Sequence, residues 1–150
     1  MNRLLLIALL FTAVPVQASE TEGHGHHHVA VGTGAVWLKS KSSVYLGVDY
    51  IYSWNERWGA GAYYEEVSGD FDLQVWGLLF NRKFGDGWKF NFGPGIERKI
   101  KKDKTLLLFR TQLGYDWHKG HWSFGPVVTV DLIEDGNTTY YAGVAVGYGW

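Results

Sequence analysis

The chain has no cysteine. That excludes disulfide staples, thiol catalysis and thiolate metal sites, so an exported domain of this size must be held together in another way. Charge of either sign is not in excess: Lys+Arg is 14 and Asp+Glu 15. A near-neutral balance argues against nucleic acid as a partner. Long apolar runs are lacking beyond the N-terminus, which excludes a conventional membrane helix. In contrast, the 150 residues carry eight Trp, nine Tyr, eight Phe and twenty Gly. A cysteine-free chain rich in rings and glycine has the composition of a transmembrane β-barrel.

The first residues read as an export signal. Arg3 supplies a positive start, Leu4 to Val14 is apolar, and Val16-Gln17-Ala18 offers small residues for cleavage after Ala18. Removing 1–18 leaves 132 residues, and losing Arg3 lowers the basic count to 13 against 15 acidic, a net −2. We expect a signal peptide at 1–18, a flexible His-rich segment at 19–28 and one barrel domain at 29–150.

Alternation of period two defines the strands. Trp122, Phe124, Pro126, Val128, Val130 and Leu132 share one face, while Ser123, Gly125, Val127, Thr129 and Asp131 share the other. The last segment repeats this, with Tyr140, Ala142, Val144, Val146, Tyr148 and Trp150 opposed to Thr139, Tyr141, Gly143, Ala145, Gly147 and Gly149. The same pattern predicts eight strands: Val29–Leu38, Ser43–Trp54, Trp58–Val67, Phe71–Lys83, Trp88–Lys99, Thr105–His118, Gly120–Ile133 and Thr138–Trp150. Most are long enough for a tilted crossing of ~9–11 residues. Short connections such as Gly85-Asp86-Gly87 and Asp135-Gly136-Asn137 carry hairpin chemistry. The expectation is an all-β, closed, antiparallel up-and-down transmembrane barrel.

Alternate turns are bracketed by rings: Trp54 with Trp58, Phe84 with Trp88, Trp117 with Trp122, and Trp150 at the end. With both termini on the periplasmic side, these seven residues form one aromatic girdle at headgroup level. The opposite rim is poorer in rings, with Trp37, Tyr64, Phe71 and Tyr140. A soluble barrel would turn the bulky face inward, which an eight-stranded lumen is too narrow to hold. Bulky residues therefore face lipid, and small or polar ones fill the tube.

The stretches HHHVAVGTG (26–34), LGVDYIYSW (46–54), WGAGAYYEE (58–66), FGPGIE (92–97), LGYDW (113–117), PVVTVD (126–131) and YAGVAVGYGW (141–150) resemble a family of small bacterial outer-membrane β-barrel proteins with a His-rich segment before the first strand. The resemblance runs from about Gly23 to Trp150. It implies an eight-stranded barrel of the cell outer membrane in a Gram-negative bacterium, with no activity attached. The terminal aromatic residue and the alternation before it also resemble the signal read by barrel-assembly machinery, an implied partner during insertion.

Four constellations could carry chemistry. His24, His26, His27 and His28 are close enough in sequence to capture Zn²⁺, Ni²⁺ or Cu²⁺ in a flexible segment, where adventitious capture is the simpler reading; His28 is also expected at the start of the first strand, facing the lumen in a structural role. Asp49, Glu65, Asp72, Glu97, Arg110, Asp116 and Asp131 are placed inside the barrel by alternation. There a proton path competes with a paired structural network, and the network is favoured because buried charge must be compensated. His121 and Ser123, with Glu134, faintly resemble the residues of lipid A deacylases, but Glu134 lies a strand length away and cannot orient His121. Arg98, Lys99, Lys101, Lys102 and Lys104 form a basic cluster at the predicted outer rim, where lipopolysaccharide phosphates would be met. Lys39 and Lys41 lie at the same rim.

The sequence therefore predicts a non-enzymatic barrel with a filled lumen, no open pore, no dedicated cofactor, and a structural or lipopolysaccharide-contacting role. Outer-membrane lipid and lipopolysaccharide are the expected partners. Metal or small-solute handling through the His tract is the alternative.

Overall fold

The computed structural model describes residues 26–150. Nine strand segments follow one another: β1 (His26–Leu38), β2 (Lys41–Ser53), β3 (Trp58–Val67), β4 (Leu73–Phe84), β5 (Trp88–Lys99), β6 (Lys104–Tyr115), β7 (Trp117–Lys119), β8 (Trp122–Ile133) and β9 (Thr138–Gly149). Every pairing is antiparallel and joins segments consecutive in the chain, except that β6 pairs past β7 with β8 and β1 closes on β9. β6 and β7 both pair with β8 in one continuous register, Gly114 facing Val127 and Trp117 facing Phe124. They are one stave with a gap, so the barrel has eight staves and no free edge.

The gap has a covalent cause. It falls where Tyr115 would face Pro126, which has no N–H to donate. The ladder between β4 and β5 is interrupted in the same way where Leu78 would face Pro94. Beside the first gap the Asp116 amide donates instead to Gly87 O at 2.9 Å.

With an even number of staves, both ends of the described chain lie at one rim, here termed the periplasmic rim. The His27 amide donates to Trp150 O and the Trp150 amide to His27 O, each at 2.9 Å, so the termini fasten the seam. The turns 54–57, 85–87 and 120–121 lie at this rim.

Alternation sorts side chains as the pattern predicts in β8 and β9. Outside, Val44, Leu78, Leu107, Phe109, Val128, Leu132, Val144 and Val146 are exposed, Leu107 at 61%. Water would not tolerate so continuous an apolar belt, whereas lipid requires it. No helix among the described residues is long and apolar enough to cross a membrane; the crossing is made by strands.

Three expectations need correction. β1 starts at His26, not Val29: His26, His27 and His28 pair with Ser53, Tyr52 and Ile51, so the flexible segment cannot extend to residue 28. Asp72 is not in the lumen. It sits just before β4 at φ 43, and β4 turns Leu73, Val75, Leu79 and Asn81 inward, the phase opposite to the one that had placed Asp72 inside. The lumen is not uniformly small and polar. Its outer part is packed with Val36, Val67, Leu73, Val75, Leu106, Leu108 and Ile133, and Phe71 packs against this cluster instead of joining a rim of rings. Hydrocarbon can fill a narrow tube as well as a polar network can, and it carries no desolvation cost.

Candidate functional site

Below the apolar cap lies a charged layer. Arg110 on β6 is 0% exposed. Its Nε and Nη2 donate to Asp131 Oδ1 and Oδ2 at 2.8 and 2.7 Å, and Nη2 also donates to Glu65 Oε2 at 2.7 Å. Nη1 lies 2.7 Å from Glu65 Oε1. The guanidinium is stacked 4.1 Å from the Tyr63 ring centroid and 5.1 Å from that of Tyr141. One cation is thus forked between the carboxylate of Asp131 on the adjoining stave β8 and that of Glu65 on β3 across the lumen, the geometry in which a buried charge is best compensated. Gly95 makes room for this layer: a Cβ there would lie 2.1 Å from the Tyr63 hydroxyl.

Glu97 sits in the outer half at 0% exposure, with Lys99 Nζ 3.6 Å away. Lys99 also reaches Asp135 at 3.6 Å, and its side chain is only 15% exposed. It closes the lumen from above and is turned away from the outer surface, contrary to its expected place in the basic rim. The other members of that cluster are outside. Arg98 lies 3.7 Å from Asp103, Lys101 donates to Gly69 O at 3.4 Å, and Lys102 and Lys104 are exposed with Lys39 and Lys41.

Toward the periplasmic side a polar belt crosses the lumen. Asn81 donates to Asn91 at 2.5 Å, Asn91 to Gln112 at 2.5 Å, and Gln112 to Thr129 at 3.1 Å. The sequence reading considered only charged residues here and missed this chain, although all four positions share the inward parity.

Below the belt the tube opens. A cavity of about 350 Å³ is lined by His28, Asp49, Ile51, Lys83, Lys89 and Asp116, among others, with Glu56 and Asp86 in the rim turns. Lys89 Nζ is paired with Asp116 at 2.8 Å. Lys83 makes a long hydrogen bond of 3.3 Å to Ser53 Oγ. Asp116 is thus a vestibule residue, while Asp49 lies between the vestibule and a smaller cavity that Glu65 also lines; neither is bonded to Arg110. The sequence reading also missed Lys83 and Lys89, for which the signal was parity with Asn81 and Asn91 across the Gly85–Gly87 turn.

The His tract divides over the wall. His28 points inward, its Nε2 2.9 Å from Ser123 Oγ. It reaches that residue over Gly147, where a Cβ would stand 2.4 Å from Nε2. His27 points outward, stacked on Trp150 and hydrogen-bonded to the Tyr50 hydroxyl at 2.7 Å. His24 lies outside the described residues. Strand alternation therefore separates adjacent imidazoles, and among the described residues no group of three His, Asp or Glu is placed to hold a metal ion. The expected four-histidine metal cluster is not formed by the three that are described.

His121, Ser123 and Glu134 are likewise not brought together. His121 Nδ1 donates to Gly149 O at 2.9 Å, Ser123 is held by His28, and Glu134 accepts from the Leu107 amide at the opposite rim.

The girdle residues all lie at the periplasmic rim. Trp54, Phe84, Trp88, Trp117 and Trp122 are exposed, and Trp58 and Trp150 half-buried. Rings pass from Phe84 to Trp88, Tyr115, Trp117 and Phe124, and from Trp122 to Tyr148, Trp150 and His27. Arg82 lies 4.6 Å over the Trp58 ring.

No protein-family model and no curated protein matches the sequence. Solved structures do share its fold. The N-terminal β-barrel domain of Pseudomonas aeruginosa OprF is similar at TM-score 0.61 and 13% identity, covering 86% of this chain and 100% of that one. The P. aeruginosa outer membrane protein OprG gives TM-score 0.59 and 14% identity, covering 87% and 99%. Yersinia pestis Ail, an attachment invasion locus protein crystallised with the heparin analogue sucrose octasulfate, gives 0.55 and 11%, covering 85% and 99%. The fold is the closed eight-stranded transmembrane β-barrel of bacterial outer membranes.

Proposed function

We propose that this outer-membrane barrel is a non-porous, non-catalytic envelope protein whose outer rim contacts lipopolysaccharide phosphates. The observation that carries the reading is the sealed outer half of the lumen. Arg110, Glu97 and Asp131 are wholly buried there beneath Val36, Val75 and Leu106. A solute would have to break a charge network and a hydrocarbon cap to pass. Short connections also leave little surface for protein recognition.

The lipopolysaccharide contact is supported by five exposed ammonium groups at the outer rim: Lys39, Lys41, Lys101, Lys102 and Lys104. Each contributes about 1 kcal/mol toward an anionic surface, within a Debye length. The heparin analogue bound in the Ail crystal is a polysulfated sugar, and polyanion recognition by a barrel of this size is in keeping with the proposal.

The test uses purified barrel in planar bilayers and in proteoliposomes. Reconstituted protein should give no steady conductance. Co-flotation should be stronger with vesicles containing phosphorylated lipopolysaccharide than with vesicles containing the dephosphorylated form. Replacing the five rim lysines by glutamine should abolish that difference. A steady selective current, or binding indifferent to phosphate, would defeat the reading.

A further inference from the structure

The vestibule is not used by the envelope role, and its charges are unevenly satisfied. Lys89 and Asp116 neutralise each other at 2.8 Å. That leaves two groups with incomplete partners. Asp49, on the inward face of β2, borders both the vestibule and a smaller cavity that reaches Glu65. Among the described residues no hydrogen bond or ion pair reaches its carboxylate. Lys89 and Arg110 are the cations that act on it, but both are bonded to other carboxylates, so a cation brought by a ligand is favoured. Lys83, near the rim, has the single long bond to Ser53 described above.

The spacing of these groups is set by the strand. Asp49, Ile51 and Ser53 are successive inward residues of β2. Four residues of strand separate the carboxylate from the serine that marks the Lys83 ammonium, or about 13 Å between α-carbons. Between them Ile51 and Ala30 give an apolar stretch of wall. The cavity thus offers an anion at depth, hydrocarbon midway and a cation at the mouth. The volume of about 350 Å³ is within the range of small-ligand sites. The lining carries Asp49, Glu56, Asp86 and Asp116 together with Lys83 and Lys89, so a ligand with a charge of each sign engages both kinds of group, which a simple ion would only half engage.

We propose that the vestibule binds a short zwitterionic peptide from the periplasm, its ammonium on Asp49 and its carboxylate on Lys83. An extended chain covers about 3.3–3.6 Å per residue, so nearly four residues match the full span, and about three suffice once a salt-bridge contact of ~2.8 Å at one end is taken off it. A single α-amino acid is too short to reach both. The sealed outer half makes the site a cup open to the periplasmic rim, a receptor without a through path.

Isothermal titration calorimetry on the full mature chain in detergent micelles tests this, with trialanine as the probe. Trialanine should bind, and alanine and N-acetyl-trialanine amide should each bind at least tenfold more weakly. Asp49→Asn and Lys83→Gln should each weaken trialanine at least tenfold, while Lys104→Gln at the other rim should not. Gel migration before and after boiling confirms that each variant is a closed barrel. If Asp49→Asn fails to fold, Lys83→Gln and the capped peptide still decide the matter. No heat with trialanine, equal binding of the capped peptide, or wild-type affinity in either folded vestibule variant would overturn the proposal.

Discussion

The two halves of the lumen are built from the same strands under the same alternation, yet they are opposite environments. The outer half is dry: Arg110 is forked between Glu65 and Asp131, and Leu106, Leu108 and Val75 cap it. The periplasmic half is wet: Lys83, Lys89, Asp49 and Asp116 line an open cavity. The difference teaches that a narrow barrel is closed by side-chain choice at a few inward positions, not by its strand count. It also predicts that equivalent damage will have unequal costs in the two halves.

The largest effect is expected from Arg110→Met. It strands Glu65 and Asp131 in the dry half and should cost about 3–5 kcal/mol. Denaturant titration of the folded, heat-modifiable form measures it. Converting Glu65 to Gln and Asp131 to Asn in the same background should recover much of the loss, since the penalty comes from unpaired charge. A smaller cost is expected for Leu108→Ala, about 2–5 kcal/mol as a cavity in the cap, and the same titration checks it. In the periplasmic half, Lys89→Gln breaks the ion pair with Asp116 beside the open cavity, and about 1.5–3 kcal/mol is expected. Equal losses for Arg110→Met and Lys89→Gln would erase the contrast between the halves.

The smallest effect belongs to the exposed outer turn. The Asn137 amide, and then Lys99, hold the Asp135 carboxyl below the usual carboxylate range. A carboxyl depressed in the folded state stabilises it above the unfolded value of about 3.9 and loses that contribution as pH falls through the lower folded value. Wild-type stability should therefore fall more steeply than that of Asp135→Asn as acid is added below about pH 4. Parallel curves would remove the turn from the account.

Much of this was legible in the sequence. The lipid-facing side of β8 and β9 could be read residue by residue, because Trp122 to Leu132 and Tyr140 to Trp150 alternate with Ser, Gly, Thr and Asp. The pairing of Arg110 with carboxylates followed from parity alone. The apolar cap was hidden because Leu106-Leu107-Leu108 is hydrophobic on both faces, so alternation offers no contrast there. Asp72 was misplaced because apolar Leu73, Val75 and Leu79 looked lipid-facing, which inverted the phase of β4; they are the residues that face the lumen. The vestibule lysines escaped notice because a lysine beside a turn looks like ordinary solvation, and only three-dimensional closure places Lys83 and Lys89 around one cavity. His26 and His27 looked like a tail because polar repeats carry no strand signal of their own, whereas His28 was legible as a lumen-facing strand residue; pairing with β2 recruits all three.

The absence of native cysteine allows the central claim to be measured directly. Single cysteines placed at Lys83 and His118 in the open half, and at Val75 and Thr139 in the sealed half, can be challenged in the folded barrel with a charged, membrane-impermeant thiol reagent. The account predicts rapid labelling of the first pair, and protection of the second until the protein is boiled. Equal labelling of all four in the folded state would show a continuous water path and contradict it.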